Sequence, residues 1–212
     1  MRITLTVLQQ QAKSNEKFTV LTCYDATFAK VLEDAGIDVL LVGDSLGNVV
    51  KGDSTTLTVT LDEIIYHTQC VSNSVQKALI MADLPFGSYQ QSPQQAFANA
   101  SKIIAAGAHM VKLEGGRIMA ETISFLTQRG IPVCAHIGLM PQSIHQLGGY
   151  KLQGNSQQSA AILLEDAKLL EKSGAGALLM EVVPAKLAGE ITQSLSIPTI
   201  GIGAGKNCSA QV

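Results

Sequence analysis

Seven short runs of apolar residues divide the chain at fairly regular intervals. They lie at residues 18–23, 39–42, 78–82, 110–113, 133–137, 177–180 and 198–202. Each run has about the length of a β-strand, and most are apolar throughout instead of alternating with polar residues. Uninterrupted apolar runs are typical of strands that are covered on both faces, as in parallel sheets. The pattern therefore predicts seven buried, parallel strands.

Amphipathic segments with helix start and stop signals lie between these runs. Thr60 and Glu63 have the spacing of a capping box, and Ser92-Pro93 supplies a cap followed by a first-turn proline. A third segment ends at Gly36 and places its apolar residues on one helical face: Phe28, Val31, Leu32 and Ala35. We expect these residues to form the buried side of that helix.

The alternation of strands and helices predicts right-handed crossovers and one parallel sheet. We favour a (β/α)₈ barrel over a doubly wound sheet because no dinucleotide-binding fingerprint follows a strand. Residues 1–212 are expected to form a single barrel domain. A barrel of this type usually needs about 250 residues, and only seven strands are visible. We therefore expect the chain to lack the C-terminal βα segment.

Composition and charge limit the classes of partner. The chain is 46% hydrophobic and 15% charged, with a formal net charge of -2, so neither nucleic acid nor a membrane surface is an expected partner. Four widely spaced cysteines form no CxxC pair, which favours reduced thiols over a zinc site. Together with the absence of an apolar signal core near the N-terminus, this predicts a cytoplasmic protein.

Polar residues occur where five of the predicted strands end. They are Asp44, Asp83, Glu114, His136 and Glu181. The carboxyl ends of barrel strands form the rim on which active sites are built. A strand can end at a single acid for no functional reason, but four acids in this position predict a site at the rim.

Three of these acids are candidate metal ligands. Asp44, Asp83 and Glu114 offer oxygen donors, which suit Mg²⁺, with Mn²⁺ as the alternative. Lys112 lies two residues before Glu114, so both side chains point to the same face of the strand. An inward lysine needs an anionic partner, which is either a substrate carboxylate or a neighbouring acid.

Other polar and glycine-rich positions allow two interpretations. His136 is either a hydrogen-bonded core residue or a donor to a substrate oxygen, and Ser45 offers a hydroxyl and a backbone N–H beside Asp44. The segment Gly201-Ile202-Gly203-Ala204-Gly205 matches neither phosphate-binding spacing. Its glycines serve either close packing or the approach of a ligand.

Six segments resemble, in order, the motifs of the ketopantoate hydroxymethyltransferase family. They are LVGDSLG (41–47), ADLPF (82–86), MVKLEGG (110–116), AHIGLMPQ (135–142), GGYKLQG (148–154) and GIGAG (201–205). The resemblance extends from about Phe18 to Gly205, which is nearly the whole chain.

The resemblance implies a barrel of the phosphoenolpyruvate/pyruvate superfamily that assembles as a homodecamer and holds one Mg²⁺ per subunit. It also implies an enzyme of pantothenate biosynthesis. The reaction transfers a hydroxymethyl group from 5,10-methylenetetrahydrofolate to 3-methyl-2-oxobutanoate, through a Mg²⁺-stabilised enolate, and gives 2-dehydropantoate. Members of the family continue beyond the glycine-rich motif by some fifty residues.

The resemblance also assigns roles to individual residues. Asp44, Asp83 and Glu114 correspond to metal ligands, and Glu181 corresponds to the proton acceptor. Asp44, Ser45, Asp83 and Lys112 correspond to residues that contact the oxo acid, and the rim position of His136 makes it a further candidate. Two alternatives stay open: another Mg²⁺-dependent 2-oxo-acid carbon–carbon lyase of the same superfamily, or an inactive, shortened remnant.

Overall fold

A computed structural model describes residues 2–212 and contains a closed barrel of parallel strands in which β1 is hydrogen-bonded to β8. The strands run in sequence order around the barrel. They are β1 (Phe18–Thr22), β2 (Val39–Val42), β3 (Leu79–Asp83), β4 (Met110–Glu114), β5 (Val133–Gly138), β6 (Ala177–Glu181), β7 (Thr199–Ile202) and β8 (Ala210–Gln211). The predicted barrel class is confirmed.

One helix precedes the first strand, and others follow most of the strands. They are α1 (Leu5–Lys13), α2 (Ala26–Asp34), α3 (Leu46–Val49), α4 (Leu61–Ser72), α5 (Pro93–Ala105), α6 (Ala120–Thr127), α7 (Ile144–Leu147), α8 (Gln157–Lys172) and α9 (Ala185–Ser194). Within residues 2–212, none of them combines the length and the apolar character that crossing a membrane requires.

An eighth strand corrects the expectation of a barrel that lacks its last strand. Ala210 of β8 pairs with Phe18 of β1 and with Ile200 of β7, so the sheet has no unpaired edge here. The sequence did not predict β8 because two residues are too short to produce an apolar run. Residues 203–209, between β7 and β8, contain no helix.

The strands are apolar throughout because their two faces meet two separate cores. In β2, Val39 and Leu41 belong to a cluster inside the barrel, whereas Leu40 and Val42 pack against the outer helices. The same alternation is repeated in β3, β4, β5 and β6, whereas the outward residues of β1, Thr19 and Leu21, are exposed. Burial on both faces removes the polar side of the strand and leaves the continuous runs seen in the sequence.

The helix start signals are confirmed, but one predicted helix face is wrong. Thr60 and Glu63 form a reciprocal capping box, and Ser92 caps α5. In α2, however, Phe28 and Val31 are 62% and 56% exposed, and Ala29 is the buried residue. Of the predicted face, Leu32 packs against the same core cluster as Ala29, whereas Phe28 and Val31 point to solvent.

Glu33, near the end of α2, binds the segment that leads into β3. Its carboxylate accepts hydrogen bonds from the backbone N–H groups of Gln76, Lys77 and Ala78, at 3.0, 2.6 and 2.9 Å from Oε1. Partial burial alone would raise the pKa of Glu33, but these backbone donors outweigh it and lower the pKa. The ionised carboxylate thus fixes the entry into a strand that carries a rim residue.

We expect Glu33→Gln to lower the free energy of unfolding at pH 7 by about 1 kcal/mol, because a neutral amide accepts these hydrogen bonds less well. Since the folded-state pKa is below the unfolded value of about 4.3, the carboxylate stabilises the fold above that value, and the effect is lost as the pH falls through the folded pKa. Urea denaturation at several pH values measures this.

The matched control for this experiment is Asp34→Asn, which removes an exposed ion pair with Lys30. It should change the stability by less than about 0.5 kcal/mol. A Glu33→Gln difference that is as large at pH 3 as at pH 7 would contradict the assignment of the effect to the carboxylate charge.

Candidate active site at the carboxyl end of the barrel

A cavity of about 190 Å³ lies at the carboxyl ends of the strands. Its wall contains all seven polar residues predicted from the sequence: Asp44, Ser45, Asp83, Lys112, Glu114, His136 and Glu181. The structure thus brings together side chains that are up to 137 positions apart in the chain. Their shared position follows from the barrel, because every parallel strand ends at the same rim.

The inward positions of the strands change from apolar to charged toward the rim. In β4, Met110 belongs to the apolar cluster inside the barrel, and Lys112 and Glu114 are the next two residues on that face. In β5, Cys134 and His136 follow the same order. The apolar lower positions fill the barrel, and the charged upper positions line the cavity.

Asp83 is the centre of one group of charges. Asp83 and Lys112 are register partners on β3 and β4, and Lys112 Nζ lies 3.1 Å from Asp83 Oδ1. The other oxygen, Oδ2, accepts the backbone N–H of Asp44 at 2.9 Å. Lys112 therefore takes the second of its two predicted partners, a neighbouring acid.

His136 connects a second group of charges. It is the register partner of Glu114, and its Nδ1 lies 3.5 Å from Glu114 Oε1. Its Nε2 lies 3.4 Å from Glu181 Oε2. These separations are longer than ordinary hydrogen bonds, so both ring nitrogens face acidic groups without a short partner in the described residues. The histidine is buried and lines the cavity, but it is not the hydrogen-bonded core residue of the first interpretation. Its predicted role as a donor to a substrate oxygen stays a prediction.

Burial gives these groups unusual proton affinities. Desolvation and the charge of Asp83 raise the pKa of Asp44 to about 7. Desolvation also raises the pKa of Asp83, although Lys112 opposes the shift. Burial disfavours the charged form of Lys112, but the three surrounding carboxylates outweigh it and raise its pKa. The site therefore has a surplus of buried negative charge near Asp44.

Glu114 and His136 each stabilise the charged form of the other. Burial would raise the pKa of Glu114, but its contacts with His136 and the nearby Lys112 lower it. Burial and Lys112 oppose protonation of His136, but Glu114 and Glu181 raise its pKa. This arrangement favours an imidazolium between two carboxylates.

Other site features were not predicted or were left open. Tyr24 was missed, and its hydroxyl lies 2.7 Å from Ser45 Oγ. Tyr89 and Gln142 are buried behind the acids and hydrogen-bond to them, but no role was predicted for either. Gly201 packs against the Cys208 side chain, which supports the packing interpretation of the glycine-rich segment.

A metal centre is not preformed. Within residues 2–212, no three His, Cys, Asp or Glu side chains have the spacing of a metal-binding group. Instead, Lys112 Nζ lies against Asp83 Oδ1. The donor set nevertheless suits a hard cation, because Glu114 Oε1 is buried without a hydrogen bond and Asp83 Oδ1 meets Lys112 without hydrogen-bond geometry.

Solved structures of other proteins share this fold. A phosphoenolpyruvate phosphomutase from Streptomyces platensis is 14% identical with a TM-score of 0.73, over 98% of this chain and 79% of that one. A 2,3-dimethylmalate lyase, described as a member of the PEP mutase/isocitrate lyase superfamily, is 21% identical with a TM-score of 0.68, over 95% and 72%. The chain is thus a parallel (β/α)₈ barrel of the kind found in that superfamily.

Sequence comparison identifies the family within this class. The profile of ketopantoate hydroxymethyltransferase matches residues 2–212, and the chain belongs to this family. It is 64% identical to the 3-methyl-2-oxobutanoate hydroxymethyltransferase of Nitrosospira multiformis, over 100% of this chain and 81% of that protein. The corresponding enzyme of Thiobacillus denitrificans is 57% identical over the same shares.

A glycine at the end of β5 allows the backbone of β5 to lie close to the backbone of Glu181. Gly138 has φ +93°, and an added Cβ would lie 2.3 Å from the backbone oxygen of Glu181. Gly130, at the end of the α6 turn, has a similar φ of +83° but no atom within 4 Å of an added Cβ. The two glycines therefore share the same backbone requirement and differ in the space around them.

We expect Gly138→Ala to lower the free energy of unfolding by at least about 2 kcal/mol, from backbone strain and overlap with β6. Gly130→Ala adds only the strain and should cost about 1–2 kcal/mol. Thermal and chemical denaturation compare the two variants. Equal destabilisation would show that overlap with the Glu181 backbone adds nothing to the cost of Gly138→Ala.

Proposed function

We propose that the chain transfers a hydroxymethyl group from 5,10-methylenetetrahydrofolate to 3-methyl-2-oxobutanoate and so forms 2-dehydropantoate for pantothenate biosynthesis. The observation that carries the proposal is the convergence of the family's motif residues on one cavity at the carboxyl end of the barrel. In the overall reaction, a carbon–carbon bond forms at C3 of the oxo acid. The C3 proton is lost, water provides the hydroxyl oxygen, and tetrahydrofolate leaves.

Asp44, Asp83 and Glu114 would hold one Mg²⁺, with Mn²⁺ as the alternative. Buried carboxylate oxygens without hydrogen-bond partners suit this ion, and a phosphonopyruvate hydrolase of the same fold was crystallised with oxalate and Mg²⁺. When bound, the ion would supply Lewis-acid stabilisation of the negative charge that develops on the oxo acid.

The chain's own residues would carry the other steps. Lys112 would pair with the carboxylate of the oxo acid, and the Ser45 hydroxyl would donate to the same molecule. Glu181 would remove the C3 proton because it lines the cavity and its side chain is 17% exposed, whereas Asp83 and Glu114 are 2% exposed. His136 contacts Glu181 and would orient it and donate to a substrate oxygen.

The cellular setting belongs to the same proposal. Four free cysteines fit a reducing cytoplasm. Large apolar side chains are exposed on the outside of the barrel, including Phe28, Val31, Tyr66 and Ile118. Such side chains are candidate subunit contacts where they form a continuous patch, and the proposal includes the homo-oligomer, a decamer, that the family resemblance implies.

Turnover with methylenetetrahydrofolate tests the proposed activity. Formation of 2-dehydropantoate that depends on both the folate and the oxo acid is the expected result. A carbon–carbon lyase of the same superfamily would instead cleave its substrate without folate. An assembled protein that shows no turnover with either type of substrate would contradict the enzymatic proposal.

We expect Asp83→Asn to weaken Mg²⁺ binding while the fold survives. The amide removes an anionic donor, but it can still accept the Asp44 N–H and fill the same volume. Calorimetric titration with MgCl₂ measures the affinity, and thermal denaturation measures the fold. Asp62→Asn, on the exposed side of α4, is the matched control and should bind Mg²⁺ like the parent. Parent-like affinity in Asp83→Asn would exclude the three-carboxylate site.

We expect Glu181→Gln to separate binding from proton removal. Glutamine is nearly isosteric but cannot accept the C3 proton, so deuterium exchange at C3 should slow by about 10²–10⁴-fold. The exchange is followed by NMR with Mg²⁺ and without folate, while calorimetry checks oxo-acid binding. Glu190→Gln, on the exposed face of α9, controls for loss of a surface acid.

The two measurements on Glu181→Gln have distinct meanings. Parent-like exchange would remove Glu181 from the proposed mechanism as the base. Loss of oxo-acid binding, with the fold retained, would place Glu181 in the binding site instead.

A further inference from the structure

Gln142 is a buried residue that touches two of the three candidate metal ligands. It lies in the loop after β5 and is 6% exposed. Its backbone N–H donates to Glu114 Oε2 at 3.0 Å, and its side-chain Nε2 donates to Asp44 Oδ2 at 2.8 Å. One residue therefore links acids that come from opposite sides of β3.

The orientation of the Gln142 amide is determined by its surroundings. Nε2 also donates to the backbone oxygen of Leu84 at 3.0 Å, so both amide hydrogens have acceptors. Oε1 accepts from the Tyr89 hydroxyl at 2.7 Å and from Gln90 Nε2 at 3.1 Å. Exchanging the oxygen and nitrogen would place acceptors against Asp44 and the Leu84 carbonyl, so only one orientation satisfies every group.

Tyr89 extends this network to the backbone of the metal-site strand. Its hydroxyl accepts the N–H of Glu114 at 3.1 Å while it lies against Gln142. Tyr89 is 1% exposed, so it can position these groups without contact with solvent. Glu114 is thus held through its backbone by Tyr89 and through its carboxylate by Gln142.

A neutral amide is the group that this position requires. A glutamate would place a fourth carboxylate beside Asp44, where three acids are already buried together. A side chain without donors would leave Asp44 Oδ2 without this hydrogen bond and free to rotate. Glutamine constrains the acid and adds no charge.

We propose that Gln142 is a positioning residue, supported by Tyr89, that holds the Asp44 and Glu114 carboxylates in the orientation needed for the divalent cation. The inference rests on the proposed function, because the presence of the cation is part of that proposal. Hydrogen bonds from outer residues to metal-ligating groups fix their orientation, and their loss typically weakens metal affinity by about 10–100-fold.

The test compares Mg²⁺ affinities of the parent, Gln142→Met and Tyr89→Phe by calorimetric titration. Methionine fills a similar volume and keeps the backbone N–H that binds Glu114, but it removes the side-chain hydrogen bond to Asp44. Gln142→Met should therefore bind Mg²⁺ at least about tenfold more weakly. Tyr89→Phe should show a smaller loss in the same direction. Gln95→Met is the matched control, since Gln95 makes hydrogen bonds to the backbone near α5 and does not contact the acids.

Each outcome distinguishes positioning from general stability. Weaker binding by the folded variants, with the Gln95→Met affinity unchanged, supports the proposal. Parent-like affinity in Gln142→Met overturns it, even where thermal denaturation shows a loss of stability. If Gln142→Met does not fold, parent-like affinity in Tyr89→Phe overturns it. A parent that binds no Mg²⁺ would instead remove the metal from the proposed function, and this inference with it.

Discussion

The burial of three carboxylates at one end of a closed barrel is the constraint on which the site depends. Asp44, Asp83 and Glu114 are all less than 6% exposed, and charges without partners in such a position would be strongly destabilising. The barrel meets this requirement with Lys112 and His136, which come from neighbouring strands. Because both cations are as buried as the acids, none of these charges can be rearranged without affecting the others.

Strand register determines which charges meet. Asp83 lies opposite Lys112, and Glu114 lies opposite His136. A shift of one residue would turn each side chain to the other face of the sheet, and the apolar clusters on both faces oppose such a shift. The lower apolar positions therefore contribute to function indirectly, since they fix the register that pairs the charges at the rim.

The sequence predicted the strands, which recur as apolar runs, and the polar residues at the ends of those runs. The seven long strands were visible as apolar runs, and the rim residues could be located because each follows or ends one of them. Gln142 and Tyr89 belong to loops whose approach to the acids is decided only by tertiary folding. The periodicity of Phe28 and Val31 indicated a helix but not which face it buries, because the buried residue Ala29 lies outside that apolar pattern.

Differences in burial divide the acids into two kinds. Glu181 follows the four buried residues of β6 at the end of that strand, and its side chain is more exposed than those of Asp83 and Glu114. A group that exchanges a proton with a substrate must be reachable, whereas a group that holds a cation gains from exclusion of water. His136 contacts both Glu114 and Glu181. The proposed base and the proposed metal site therefore face the two nitrogens of one buried ring.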